Sequence, residues 1–233
     1  MPNANPTVFV VDDDISVRRS LELLVSSAGW EIEAFESAHE FLALPRVLAP
    51  SCLVLDLKLP DMNGLDLQKQ LADDRSDMPI IVITGYADVP MTVRAMKAGA
   101  VELLIKPYGD DELLSAIRSA IARSSLMLQR VAEVRTLRDR YASLTPREQA
   151  VMALVVSGWL NKQIGGELGI SEITVKAHRG KLMRKMDADS LPDLVRMATR
   201  LRVRTQPKPR RFGDRLLKGA NRLFSAYVGA ARD

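Results

Sequence analysis

Thr-Val-Phe-Val-Val-Asp-Asp-Asp, residues 7–14, sets five consecutive strand-forming residues directly before three carboxylates. An apolar run without alternation suits a strand buried on both faces, as in a parallel sheet covered by helices. Four more strand candidates follow at Glu31–Phe35, Cys52–Leu55, Ile80–Thr84 and Val101–Ile105. Ile80–Thr84 is as branched and apolar as the first. Glu31–Phe35 instead alternates, with Ile32 and Phe35 among glutamates, which suits a sheet edge. Amphipathic stretches lie between them. Ser16–Ser27 carries Val17, Leu21 and Leu24 on one face, Asp88–Ala98 stops at Gly99, and Asp111–Ala122 carries Leu113, Leu114, Ile117 and Ile121. Glycine after a helix suits a left-handed helix end.

This β-α alternation predicts a parallel sheet with helices on both sides. Five strands suit the flavodoxin-like (βα)5 fold with strand order 2-1-3-4-5. In such sheets the chemistry collects outside the carboxyl ends of the strands. Asp12 and Asp13 end the first strand, Asp56 the third, Thr84 the fourth and Lys106 the fifth. Three carboxylates, a hydroxyl and an ammonium should therefore share one crevice. Carboxylates that close repel one another unless a cation sits among them, and hard oxygen ligands suit Mg²⁺. A carboxylate neutralised in this way can attack a phosphoryl group. Asp14 reads as the cap of the following helix, and Asp61 and Asn63 as turn residues before Gly64.

The segments VVDDD at 10–14, LDLKLPDMNG at 55–64, ITG at 83–85 and KP at 106–107 resemble the receiver domain of two-component response regulators. The resemblance covers residues 7–122. It implies Asp56 as phosphoacceptor and a Mg²⁺ site made by Asp12, Asp13, Asp56 and the backbone carbonyl of Lys58. It further implies that Thr84 hydrogen-bonds a phosphoryl oxygen, that Lys106 pairs with the phosphate charge, and that the Lys106–Pro107 bond is cis. One position departs from the pattern. Receivers carry an aromatic residue three before the lysine, and here that residue is Leu103. Tyr108 reads as a packing residue. Aspartate-nucleophile phosphohydrolases carry a second aspartate two residues after the first. Lys58 occupies that position, which argues against an enzyme.

Charge is unevenly spread. Residues 1–121 hold 10 Lys+Arg and 19 Asp+Glu, residues 122–201 hold 14 and 8, and residues 202–233 hold 9 and 2. The acidic first part suits cations and the basic remainder suits polyanions such as nucleic acid. Residues 123–142 lack glycine and proline and favour a helical linker. Met127, Val131, Val134 and Tyr141 follow helical spacing with Arg138 interrupting. Pairing between two chains and a single semi-rigid helix both fit that pattern.

Thr145-Pro146-Arg147-Glu148 has the form of a helix start with a capping box. Ala150, Val151, Leu154 and Val155 form its stripe, which ends near Gly158. A short helix starting at Asn161 places Ile164 and Leu168 inward and breaks at Gly169. Ser171 caps a third helix running to about Met186, with Val175, Leu182 and Met186 on one face. Lys176, Ala177, Gly180, Lys181 and Arg184 occupy the opposite arc. Two helices joined by a short glycine turn, the second basic outside, match a helix-turn-helix.

LTPRE at 144–148, NKQI at 161–164 and LGISEITVKAHR at 168–179 resemble the LuxR-type DNA-binding domain. With a receiver ahead of it, the chain is similar to the NarL/FixJ family. The resemblance covers residues 143–201 and implies base contacts from Lys176 and Ala177, with Thr174 and His178 near phosphates. A packed, hydrogen-bonded role for His178 fits the pattern equally. Lys181 and Arg184 join the DNA contacts by angle and charge. Gly180 stands where family members carry a long polar residue. Leu191–Leu201 would form a fourth, dimerising helix.

Residues 202–233 read as a basic tail, amphipathic in pattern, with Phe212, Leu216, Leu217, Leu223, Phe224, Tyr227 and Val228 at near-helical spacing. No apolar run approaches the ~20 residues of a membrane span. The N-terminus lacks a secretory pattern, and one cysteine, Cys52, makes no internal disulfide. The expected setting is the cytoplasm. The expected partners are a sensor histidine kinase, promoter DNA, a second copy of the chain once phosphorylated, and RNA polymerase.

Overall fold

The computed structural model describes residues 5–46, 48–85 and 88–204. The basic tail from residue 205 onward lies outside the described residues, and so do the readings that fall on it. The described residues divide into two compact units, with the boundary between Ala132 and Glu133.

In the first unit, strands β1 (Thr7–Val11), β2 (Glu31–Phe35), β3 (Ser51–Asp56), β4 (Ile80–Thr84) and β5 (Ala100–Ile105) form one parallel sheet in the order β2-β1-β3-β4-β5. Every residue of β1, β3 and β4 is buried, while β2 at the edge alternates. Helices α1 (Ile15–Ser27), α2 (Ala38–Leu42), α3 (Gly64–Asp74) and α4 (Val89–Lys97) follow the first four strands. The sequence reading did not single out α2 and α3. Both start at local caps, with Ser37 Oγ accepting from the Glu40 amide and Asn63 Oδ1 from the Leu65 amide.

The sheet separates two apolar layers. Phe9, Phe35, Phe41, Leu53, Leu55, Leu67 and Leu71 pack on one side. Val8, Val10, Leu21, Val25, Val54, Ile81, Leu113 and Ile117 pack on the other. Removing a fully buried side chain such as Ile117 would cost about 2–5 kcal/mol. Helix α5 (Asp110–Ala142) runs through the residues read as a linker, and the two compact units meet within it after Ala132. Its Ser124 is fully buried, accepting from the Ser51 amide and donating to the Asp77 carbonyl.

The second unit contains α6 (Pro146–Val156), α7 (Asn161–Leu168), α8 (Glu172–Met186) and α9 (Leu191–Arg200). Their core joins Val151, Met152, Leu154, Ile164, Val175, Leu182, Met186 and Leu194. The capping box of α6 is formed on both sides, with Thr145 Oγ1 accepting from the Glu148 amide and Glu148 Oε2 from the Thr145 amide. Among the described residues no helix is long and apolar enough to cross a membrane.

Candidate functional site

Strand register alone assembles the crevice. Val11 pairs with Leu55, which sets Asp12 beside Asp56. Asp56 pairs with Ile83, one residue before Thr84, and Thr84 pairs with Ile105, one before Lys106. The parallel sheet thus delivers Asp12, Asp13, Asp56, Thr84 and Lys106 to one edge.

One carboxylate oxygen from each of Asp12, Asp13 and Asp56 lies within 4.8 Å of the other two. Asp12 and Thr84 are fully buried and Asp13 is exposed. Lys106 Nζ donates to Asp12 Oδ2 at 2.7 Å and to Asp56 Oδ2 at 3.0 Å. Burial raises the Asp12 carboxyl above its ordinary value, and the Lys106 hydrogen bond only partly offsets that. Burial also acts to lower the Lys106 ammonium, but its bonds to the two aspartates outweigh it and hold the group above its ordinary value. Three carboxylates face one ammonium here, an arrangement that suits a divalent cation.

The donor set fits Mg²⁺: clustered hard oxygens, one of them fully buried and costly to ionise without a cation. The loop after β3 also fits. The Lys58 amide donates to Asp56 Oδ1 at 3.2 Å, and Lys58 bridges to Asn63. Gly64 closes this loop against β3. A Cβ there would meet the Asp56 carbonyl oxygen at 2.7 Å and Leu57 Cα at 2.8 Å. Asp14 caps α1 as expected, accepting from the Ser16 amide at 2.7 Å. The Lys106–Pro107 bond is cis.

The second unit presents a helix face. Gly169 ends α7 in the left-handed conformation at φ 66. Gly165 allows α7 to approach the following turn, since a Cβ there would meet the Ile170 carbonyl at 2.7 Å. Arg179 Nη1 bonds Asn161 Oδ1 at 2.7 Å, tying α8 to α7. Helix α8 buries Val175, Leu182 and Met186 and exposes Lys176, Ala177, Gly180, Lys181 and Arg184. Thr174 is half-buried, its hydroxyl 2.8 Å from Ser171 Oγ. His178 is half-buried too, and its Nδ1 is buried without a hydrogen-bond partner. The geometry thus gives His178 a packed flank without the hydrogen bond a core histidine needs.

Residues 8–118 match the response regulator receiver domain, and residues 142–198 match the luxR family of bacterial regulatory proteins. Nodulation protein W of Bradyrhizobium diazoefficiens is 52% identical over 196 residues, spanning 84% of this chain and 86% of that protein. The chain belongs to the NarL/FixJ family of response regulators.

Other relatives agree. Response regulator protein TodT of Pseudomonas putida is 44% identical across 87% of this regulator and 89% of its own length. The solved structure of response regulator StyR superposes with a TM-score of 0.76 at 47% identity, covering 84% of this chain and 99% of that one. This regulator is accordingly a DNA-binding transcriptional regulator built from a receiver and a LuxR-type domain.

Three positioning residues of the regulator escaped the sequence reading. Arg18 Nη1 reaches back from α1 to the Asp12 carbonyl at 2.7 Å. Asp61, read only as a turn residue, accepts from the His39 amide at 2.9 Å and from the Ala38 amide at 3.3 Å, and lies 2.6 Å from His39 Nδ1. Burial raises the Asp61 carboxyl, but those hydrogen bonds win and hold it down at about 2. The loop after Asp56 is thereby anchored to the start of α2. Gln68 is fully buried on α3 and donates to the Ala95 carbonyl of α4 at 2.8 Å. The Asp61 and Gln68 contacts join positions more than twenty residues apart, so no local pattern signals them, while Arg18 lies six residues from Asp12. Leu103 packs with the Phe9 and Phe35 layer and Tyr108 with the opposite one, so Tyr108 does not fill the missing aromatic position.

Proposed function

We propose that Asp56 accepts a phosphoryl group from the phosphohistidine of a sensor histidine kinase. Asp12, Asp13, Asp56 and the Lys58 carbonyl would hold Mg²⁺, which when bound offsets the charge of the carboxylates and the incoming phosphoryl group. A carboxylate oxygen of Asp56 attacks phosphorus, the P–N bond breaks, and its electron pair leaves with the imidazole nitrogen. Lys106 then turns from the aspartates to the new phosphoryl charge, and Thr84 donates to a phosphoryl oxygen. The observation that carries this reading is the Lys106 ammonium held between Asp12 and Asp56, where an added phosphoryl group would compete for it.

Phosphorylation shifts the receiver toward a state that dimerises. Coupling of ~1–3 kcal/mol between the site and the dimer surface suffices. Two helix-turn-helix units then bind paired half-sites through Thr174, Lys176, Ala177, His178, Lys181 and Arg184, and contact with RNA polymerase changes transcription in the cytoplasm. In this reading the receiver spans 1–122, the linker 123–142, the DNA-binding domain 143–201 and the tail 202–233, with α9 pairing between copies.

Intact mass and sedimentation, with Mg²⁺ and a small phosphodonor, test the scheme on wild type and Asp56→Asn. One phosphoryl group added to wild type alone, with conversion of monomer to dimer, is the expected result. Phosphorylation without dimerisation would move the output elsewhere. No phosphorylation from either a small donor or a competent kinase would end the proposal and leave DNA binding intact.

A further inference from the structure

Helix α8 is unusual along the line it turns away from its own core. At 100° per residue, Ile173, Ala177, Gly180 and Arg184 fall within a wedge of about 60°, flanked by Lys176 on one side and Lys181 on the other. The line is apolar for its first two turns and cationic only at its far end. Ile173 is 80% exposed although it is a large branched residue, and none of the buried layers includes it. Gly180 is exposed in the helix interior, and a Cβ added there would meet nothing within 4 Å. Arg184 Nε leans back to the Gly180 carbonyl at 3.4 Å without filling that space.

Neither residue is explained by folding. An exposed β-branched residue loses side-chain freedom in a helix. A mid-helix glycine weakens the helix relative to alanine, and here no neighbouring atom demands it. A glycine with open space on a helix face does permit one thing, the close approach of another surface. Isoleucine offers the complementary group for the one apolar feature in the major groove, the thymine C5-methyl.

We infer that Ile173 and Ala177 form an apolar cradle that reads a thymine methyl, and that Gly180 lets the α8 backbone sit close to the base edges beside it. The inference rests on α8 being the helix that enters the major groove, whose N-terminal residues meet base edges. Lys176 and Lys181 hold the helix from either side. The cost of specificity is then borne by the helix itself, which gives up local stability at Gly180 for depth in the groove.

The test uses the full-length regulator, treated with phosphodonor, and a half-site selected in vitro from random duplexes. Each thymine is replaced in turn by deoxyuridine, which removes only the methyl. One position per half-site should weaken binding about 3–5-fold, the effect of exposing one buried methyl. Ile173→Ala should weaken the thymine duplex and abolish the difference between thymine and uracil at that position. Gly180→Ala should move two measurements in opposite directions. The melting temperature should rise by about 4 °C, while affinity for the selected site falls at least tenfold.

Uracil insensitivity at every position would overturn the inference. So would a Gly180→Ala protein that binds the selected site as wild type does. Lys176→Ala and Lys181→Ala distinguish the two levels. If they weaken binding while Ile173→Ala and uracil do nothing, α8 reads DNA and the methyl cradle is wrong. If they also leave binding unchanged, α8 is not the recognition helix and both readings fall.

Discussion

Lys106 and Gly64 show how single positions hold the crevice together. Lys106 satisfies two carboxylates at once, one of them on the fully buried Asp12. Without a partner, a buried charge shifts its pKa or destabilises the fold. Gly64 acts by lacking a side chain. A Cβ there would press on backbone atoms of Asp56 and Leu57, which cannot swing aside as a flexible side chain can. Gly64→Ala should therefore destabilise the receiver by about 2–3 kcal/mol, the scale of overpacking a filled site, as read by urea unfolding. It should also slow phosphorylation of the protein that remains folded, because the loop carrying Lys58 must shift. The glycine is visible in the sequence as part of LDLKLPDMNG, but only the fold shows that it lies against the Asp56 carbonyl.

Among the elements, α6 carries the clearest coupling between a local signal and a distant partner. The capping box over Thr145 and Glu148 could be read directly from the sequence and is formed. What the pattern did not contain is Lys185, whose Nζ lies 2.7 Å from Glu148 Oε2 and 3.1 Å from the Ser143 carbonyl. The Lys185 hydrogen bond, with the Thr145 amide, holds the Glu148 carboxyl at about 2 rather than its ordinary 4.5. A carboxylate depressed in the fold contributes stability that is complete above its unfolded value. That contribution is lost as pH falls through the folded value. The second unit should therefore lose melting temperature as pH drops from about 4.5 toward about 2, the interval set by Glu148. Glu148→Gln keeps an acceptor for the cap and removes the charge, so its stability should fall less over the same interval. Equal pH dependence in both proteins would show that Glu148 is not the group responsible.

At the scale of the whole molecule, the boundary between units falls inside a helix. Residues 133–142 of α5 belong to the second compact unit. Leu137 is buried and lines one groove with Met197 and Arg200 of α9, and Arg200 Nη2 meets Glu133 Oε2 at 2.6 Å. Arg140 Nη2 meets Asp187 Oδ2 at 2.7 Å. Exposed ion pairs of this kind contribute ~0–1 kcal/mol each, so most of the attachment comes from buried Leu137 and from Tyr141, which packs against the core of the unit. A fragment of residues 133–204 should thus be about 2–3 kcal/mol more stable than one of residues 143–204, and Leu137→Ala and Tyr141→Ala should each remove part of that difference. Equal stability of the two fragments, measured by thermal unfolding, would show that the linker end contributes nothing to the DNA-binding unit.

Strand positions, helix caps and the polar residue at each strand end were legible because each depends on residues close in the chain, and the sheet order followed from the regular alternation of five strands with helices. Apolar runs mark buried strands, a polar residue at a strand end marks the crevice, and Ser, Thr, Asp or Asn before a periodic stretch marks a helix start. The helix-turn-helix was legible for the same reason, as Gly169 and Ser171 set its turn locally. The sequence by itself thus determined the fold class and which residues meet at the crevice. Short α2, at five residues, carried too little periodicity to stand out. The anchors made by Asp61 and Gln68, the Lys185 partner of Glu148, and the division of α5 between two units were decided only by tertiary structure. Each depends on a contact between elements separated along the chain, and such contacts exist only once packing has set the distance between them.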